Sequence, residues 1–298
     1  MSLVVVGSIA FDTIDTPHGE VQDELGGSAV HFALAASALT KVLMVGAVGE
    51  DFNDDLLEPL RRRGVDLSGV VRKAGKTFRW SGRYSSDMNS RETLAVELNV
   101  FGEHVPELPE EYRKAGFLFL ANGSPAHQMH VVNQMSGSHF TVMDTMDHWI
   151  QSQQNELRAL FSRVAGVVVN DSEARLLTNE DHLRAARHIL EFGPQCVIVK
   201  KGEHGAVMLT KEAIFVIPAY PTMDVRDPTG AGDSFAGGMM GYLAQAGEVT
   251  PRTLRQAVAY GTILASFNVE DFGTRRLATL TREELEERMR RFRNILEF

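Results

Sequence analysis

The sequence predicts an α/β protein with a mostly parallel central sheet, helices on both of its faces and a small β appendage. Three observations lead there. Short β-branched runs alternate with helix-period segments over much of the chain, as strand–crossover–strand units require. The C-terminal third turns helical, and two segments, Thr13 to Leu25 and Thr77 to Asn99, interrupt the alternation with extended stretches around turns. At 298 residues and 44% hydrophobic content, the chain can bury a substantial core in one large domain.

Leu3 to Gly7 reads as the first strand; it has no basic leader and soon reaches a carboxylate at Asp12, which sets it apart from a signal peptide. Ser28 to Leu39 and Asp54 to Arg63 carry helical patterns on either side of the strand Val42 to Val45. Further strands are expected at Phe117 to Leu120, Phe140 to Met143, Val167 to Val169 and Val197 to Lys200. Ser234 to Ala246 reads as a helix, and Thr250–Pro251 opens another that runs towards Phe267, with proline at the tolerated first position. Thr281 and Glu284 form a capping box for the last helix, whose Leu285, Met289, Phe292 and Leu296 make a core stripe. In an open parallel sheet ligands sit at the carboxyl ends of the strands, so residues just after strands carry the functional interest.

A net charge of −9 opposes a nucleic-acid surface, which needs a basic face that releases counterions. No stretch reaches the roughly 20 apolar residues of a membrane span. The single cysteine, Cys196, excludes an internal disulfide framework. A cytoplasmic protein without nucleic-acid or membrane partners is expected. Gly75–Lys76–Thr77 imitates the end of a P-loop, but the glycine that motif needs five residues earlier is Val70. The first strand lacks the dinucleotide glycine pattern, and the histidines show no zinc-like pairing with cysteine.

Chemistry concentrates in residues 227 to 240. Gly230, Ala231 and Gly232 let the backbone turn tightly and aim successive N–H groups at one point, where the dipole of the following helix favours an anion. Asp233 stands beside that point; phosphate would repel its resting carboxylate, so it suits a base better than a phosphate ligand. A bare Gly-x-Gly-Asp reads equally as a capped helix start.

The whole stretch from Asp227 to Met240 resembles the C-terminal motif of the ribokinase-like, or PfkB, family of carbohydrate kinases. The resemblance extends over nearly the whole chain. It implies a three-layer α/β/α sandwich with residues 1–12, 26–76 and 100–298 in the core and residues 13–25 and 77–99 in a β lid over the substrate. It implies Asp233 as the base and Gly230, Ala231 and Gly232 as the anion hole, with ATP and Mg²⁺ as donor and cofactor. Asp227 and Thr229 match positions near a monovalent-cation site, which brings potassium into view. Lids of this family often pair, so a homodimer through an apolar outer lid face is a further expectation.

The remaining candidates are weaker as bare residues. Asp12 follows the first strand and would project into the crevice, where the family has an Asp on sugar hydroxyls; a turn aspartate reads the same. Gly26 and Gly27 match a glycine pair that contacts substrate. His31 stands where ribokinase-type chains usually have Asn, which disfavours ribose itself and leaves His31 either a polyol contact or a helix-face histidine. Asn170 and Glu173 match an Asn-x-x-Glu that organises the magnesium water shell, though the spacing is also that of a helix cap. Lys200 and Gly202 lie in a loop that the family sets against the nucleotide, and Thr229 is a further nucleotide contact. Asn122 and Asp144 end strands and could line the crevice. The reading is therefore ATP-dependent phosphotransfer to a hydroxyl of a sugar-like substrate. Alternatives are a nucleoside kinase, drawing on Phe78, Trp80 and Tyr84 on one strand face; a sugar-phosphate kinase, if Arg79, Arg83 and Arg91 face inward; and a catalytically silent sensor of the same fold.

Overall fold

Strands that are buried on both faces need continuous apolar runs rather than alternating ones, and the central runs of this chain are of that kind. In a computed structural model, which describes residues 1–137 and 139–297, the strands are β1 (Leu3–Val6), β2 (Ala10–Thr16), β3 (Gly19–Gly26), β4 (Val42–Val48), β5 (Asp66–Arg72), β6 (Phe78–Tyr84), β7 (Arg91–Glu97), β8 (Phe117–Leu120), β9 (Phe140–Met143), β10 (Gly166–Asn170), β11 (Cys196–Lys200), β12 (Ala206–Thr210) and β13 (Ile214–Ile217). Every residue of β1, β4 and β8 is buried, and β10 and β11 are buried except for their last residues, Asn170 and Lys200. Those two emerge at the carboxyl edge of the sheet.

Nine strands form one sheet in the order β13-β12-β11-β10-β9-β8-β1-β4-β5. All neighbours are parallel except the β11-β12 and β12-β13 pairs. Successive side chains of β1 feed opposite cores: Leu3 and Val5 join the layer containing helices Ser28–Ser37, Ala231–Ala246 and Pro251–Asn268, while Val4 and Val6 join the layer of helices Pro125–Gln134, Gln154–Phe161 and His182–Glu191. This is the three-layer α/β/α arrangement that the sequence resemblance implies. The chain steps from β1 to β4 and β5 on one side and returns through β8 to β11 on the other, so the strand order reverses beside β1, where crevices open in such sheets. Helix Ala231–Ala246 sits close against two neighbours: a Cβ on Gly237 would strike the Phe32 carbonyl, and one on Gly238 would come 2.7 Å from the Tyr260 carbonyl.

The second sheet, β3-β2-β6-β7, begins at Ala10 and ends at Glu97. Asp12 therefore lies within the small sheet, on β2, and not at the carboxyl edge of the large one as its position after the first strand suggests. The turn at Gly7–Ile9 carries the chain out of the core after only four strand residues. Ala10, Asp12 and Ile14 of β2 align with Phe78, Trp80 and Gly82 of β6, which places them with Tyr84 on one face. On the other face Arg79 pairs with Asp23 and Asp51, and Arg83 with Asp15. Salt bridges thus run along this face of the lid.

Two smaller differences have local causes. The expected helix over Asp54 to Arg63 is a 3₁₀ turn, Asp54–Leu57, followed by a short α-helix, Glu58–Arg62, because Pro59 fits only the first turn. The helix expected from Ser234 starts at Ala231, which brings Gly232 and Asp233 into its first turn.

Candidate active site

Gly230 caps the helix Ala231–Ala246 in the left-handed conformation, φ 74° and ψ 0°, which glycine adopts without the strain a Cβ would bring. A Cβ there would also run into the His31 ring. The Ala231 amide turns back onto the Pro228 carbonyl at 3.1 Å, whereas those of Gly230, Gly232 and Asp233 have no main-chain partner among the described residues. Thus the cradle expected from Gly230, Ala231 and Gly232 retains Gly230 and Gly232, loses Ala231 to the turn, and gains the amide of Asp233. Amides without a main-chain partner at the N-terminus of a 16-residue helix form an anion site, and the Asp233 carboxyl itself leans on the last of them.

The turn is pinned from beneath. Asn268 donates its amide to the Thr229 carbonyl (2.7 Å), which makes its oxygen the acceptor for Ser234 Oγ (3.0 Å) and for His31 Nδ1 (2.9 Å). His31 must then carry its proton on Nδ1. Burial holds its pKa down to about 4 against the raising effect of Asn268, so the ring is neutral. His31 is 1% exposed, and it supports the turn where a polyol contact was expected. Asn268 was not foreseen; its only sequence signal is an amide closing the largely apolar C-terminal half of a helix. Thr229 is likewise a hub of the loop: its amide reaches Asp227 Oδ1 (2.8 Å) and its hydroxyl donates to Tyr84 Oη (3.1 Å), joining lid to turn. Asp227 is fully buried, with its second oxygen taken by the Gly273 amide at 2.8 Å.

Three adjacent parallel strands bring charge to the same place. Asp144 follows β9, Asn170 ends β10 and Lys200 ends β11. The Lys200 ammonium lies 3.0 Å from Asp144 Oδ2, and a Cβ built on Gly232 would come within 2.9 Å of it. Burial opposes its charge, but Asp144, Glu173 and Asp233 outweigh burial and hold its pKa above the ordinary value. Asn170 and Glu173 form a reciprocal capping box, with Asn170 Oδ1 accepting the Glu173 amide (2.8 Å) and Glu173 Oε2 the Asn170 amide (2.7 Å). The capping alternative is therefore realised, and Glu173 still has an oxygen without a hydrogen bond among the described residues. Burial, then Asp144, pushes the Glu173 carboxyl well up.

Asp233 is partly exposed. Burial of its carboxyl group, and next Asp144, raise its pKa to about 7, with Lys200 and Arg91 pulling the other way. Asp12, 5% exposed, is also raised to about 7, by burial first and then by Asp227 and Asp233, against the Gly27 amide. A Cβ on Gly26 would overlap the Asp12 carboxylate, and Gly27, at φ 98°, would carry one 2.5 Å from the Ser8 carbonyl. Gly26 thus makes room for Asp12, and Gly27 for the main chain at Ser8.

A cavity of about 550 Å³ runs along the other side of the amide turn, lined by Lys200, Gly202, Gly232, Phe235, Tyr220 and Val269. Its size and mixed apolar wall suit a nucleotide. Asn122 does not line it: its oxygen accepts Trp149 Nε1 (3.1 Å) and it borders a separate, smaller cleft. Three carboxylates, Asp144, Glu173 and Asp233, act on one ammonium at this point, a deficit of positive charge that a divalent cation would relieve. Among the described residues no three His, Cys, Asp or Glu side chains converge to hold a metal directly.

Residues 1–281 match the sequence profile of the pfkB family of carbohydrate kinases. The chain is 32% identical to a cytidine kinase of Thermococcus kodakarensis over 88% of its own length and 93% of the relative's. It is 27% identical to a deoxyribokinase of Salmonella typhimurium over 88% and 86%. Among solved structures, a nucleoside kinase of Burkholderia thailandensis in complex with inosine superposes with a TM-score of 0.78 at 22% identity, covering 97% of this chain and 98% of that one. A putative ribokinase from E. coli in complex with ATP and Mg²⁺ superposes at 0.79 and 20% identity, covering 97% and 99%.

Proposed function

This chain belongs to the pfkB family of carbohydrate kinases, and from that premise we propose that it transfers the γ-phosphoryl group of ATP to a hydroxyl of a nucleoside. That it is a sugar or nucleoside kinase rests on its relatives; the choice of nucleoside rests on the lid. Phe78, Trp80 and Tyr84 share the lid face of Asp12; Tyr84 meets Thr229 of the turn, Trp80 is partly exposed, Phe78 is buried against Phe101, and Arg79 and Arg83 are committed to salt bridges on the opposite face. An aromatic surface suits the flat face of a base, and its one cation without an ion pair among the described residues is Arg91. Arg91 alone of the three arginines is near, 5.5 Å from the Trp80 ring centre.

In this reading Asp12 accepts hydrogen bonds from the sugar hydroxyls and Asp233 takes the proton of the attacking one. The hydroxyl oxygen bonds to the γ-phosphorus as the bond from that phosphorus to the bridging oxygen breaks, and ADP leaves. The amides of Gly230, Gly232 and Asp233 meet the charge that develops, and positioning does most of the work. Gly202 and Lys200 border the nucleotide. Magnesium would neutralise phosphate charge, met through water by the free oxygen of Glu173 and by Asn170. A potassium ion near Asp227 and Thr229 would act on the loop that carries the amides, and a cytoplasmic setting belongs to the same proposal. A screen of nucleosides, free pentoses and inositols with ATP and Mg²⁺ tests the substrate class. The highest kcat/KM is expected for a nucleoside; ribose or deoxyribose turned over equally well would overturn the choice, and no turnover of any acceptor would leave the silent sensor.

The pH profile follows from the raised carboxyls. Only the ionised form of Asp233 can take a proton, so kcat/KM rises with pH through about 7 and levels off above it. Asp12 titrates in the same range, so the limb belongs to the pair. A profile flat from pH 5.5 to 8.5 would contradict the assignment.

A further inference from the structure

We propose that Lys200 is a catalytic residue that supplies positive charge to the transferring phosphoryl group, and that Asp144 is the positioning residue that aims its ammonium at the amide turn. The proposal rests on the kinase reading above and extends it to a charge that the amides do not supply.

Lys200 leaves β11 at the carboxyl edge, and its flexible stem would ordinarily carry the ammonium to water. Here the side chain is 15% exposed and its end is fixed 3.0 Å from Asp144, itself 7% exposed at the side chain. The pairing spans 56 residues of sequence and exists because β9, β10 and β11 are parallel neighbours that all end at the same edge. A Cβ on Gly232 would stand 2.9 Å from Nζ, so a glycine whose own amide belongs to the anion site is also the residue that admits the ammonium. A lysine ammonium has three N–H donors, and the bond to Asp144 uses one. Lys200 also lines the nucleotide-sized cavity that borders this turn. The geometry is that of a point charge with donors in reserve beside an anion hole, and not of a surface ion pair.

Asp144 is suited to hold rather than to react. One of its oxygens accepts the Thr145 amide at 2.7 Å and the other accepts Lys200. Deleting its charge would free the ammonium to swing towards Glu173 or Asp233, both of which attract it.

The test separates binding from transfer in the full-length protein. Lys200→Met keeps most of the stem and removes the charge. ADP affinity is measured by calorimetry with Mg²⁺, alone and with aluminium fluoride, which mimics the phosphoryl in flight and needs no knowledge of the acceptor. We expect Lys200→Met to bind ADP within about fivefold of the parent but to lose roughly 10²-fold or more of the extra affinity that aluminium fluoride confers, and to lose kcat by a similar factor with the acceptor KM little changed. Asp144→Asn should show the same pattern at about a tenth of that size. An intact aluminium fluoride increment in a folded Lys200→Met protein would overturn the proposal, as would an effect confined to ADP affinity. Should the parent itself gain nothing from aluminium fluoride, the kinase reading fails first, and is distinguished in that way.

Discussion

Asp233→Asn is expected to lower kcat by about 10² to 10⁴ while leaving nucleotide affinity within a few-fold. The substitution keeps the size of the side chain and removes its capacity to hold a proton. In the parent, burial and Asp144 raise the proton affinity of this carboxyl to a pKa of about 7, where about half of it is ionised at neutral pH and the ionised form is basic enough to share a hydroxyl proton during attack. The amides of the turn and the Lys200 charge remain in the variant, so residual transfer above the uncatalysed rate is expected, and the acid limb near pH 7 should weaken with the loss of its main group. Steady-state kinetics across pH on both proteins checks this. Unchanged turnover in Asp233→Asn would remove Asp233 as the base, and with it the reading of the turn as a phosphoryl-transfer site.

Gly230→Ala is expected to damage fold and turnover together. Holding alanine at φ 74° costs about 1–2 kcal/mol, and the new methyl group meets the His31 ring, adding roughly 1–3 kcal/mol of overpacking. A lower thermal midpoint follows. The amides of Gly230 and Gly232 can relieve the clash only by moving, and losing an aligned donor costs about 10²-fold in kcat. Combining Gly230→Ala with His31→Ala should recover part of the midpoint, because the clash disappears and the left-handed strain stays. Strictly additive losses in the double variant would mean that His31 does not support the turn, since residues in contact couple. Circular dichroism melts and initial rates on the three variants distinguish these outcomes.

Much of the site was legible before any coordinates because it is local. Gly230 to Asp233 lie in one turn, and small residues followed by a helix leave the amides little choice of direction. Asn170 and Glu173 were legible in the same way, although the bond they form is the cap that their spacing also allowed. His31, expected to touch ligand, is buried and holds the turn, and Thr229 holds it as well; neither role was legible because their partners, Asn268 and Tyr84, are 237 and 145 residues away in the chain. Asn122 lies two residues beyond the end of β8, and Trp149 takes its oxygen.

The amino-acid order alone determined the α/β class, the family, the glycine turn and the acid beside it, since strand–helix alternation and a helix N-terminus are set by neighbours within a few residues. Only the tertiary structure decided which face of the lid holds the arginines, how Asp144 meets Lys200, and that Asp12 and Asp233 hold their protons up to about pH 7. Charge and burial are properties of the space around a group, and here that space is assembled from strands far apart in sequence that end at one edge of a sheet.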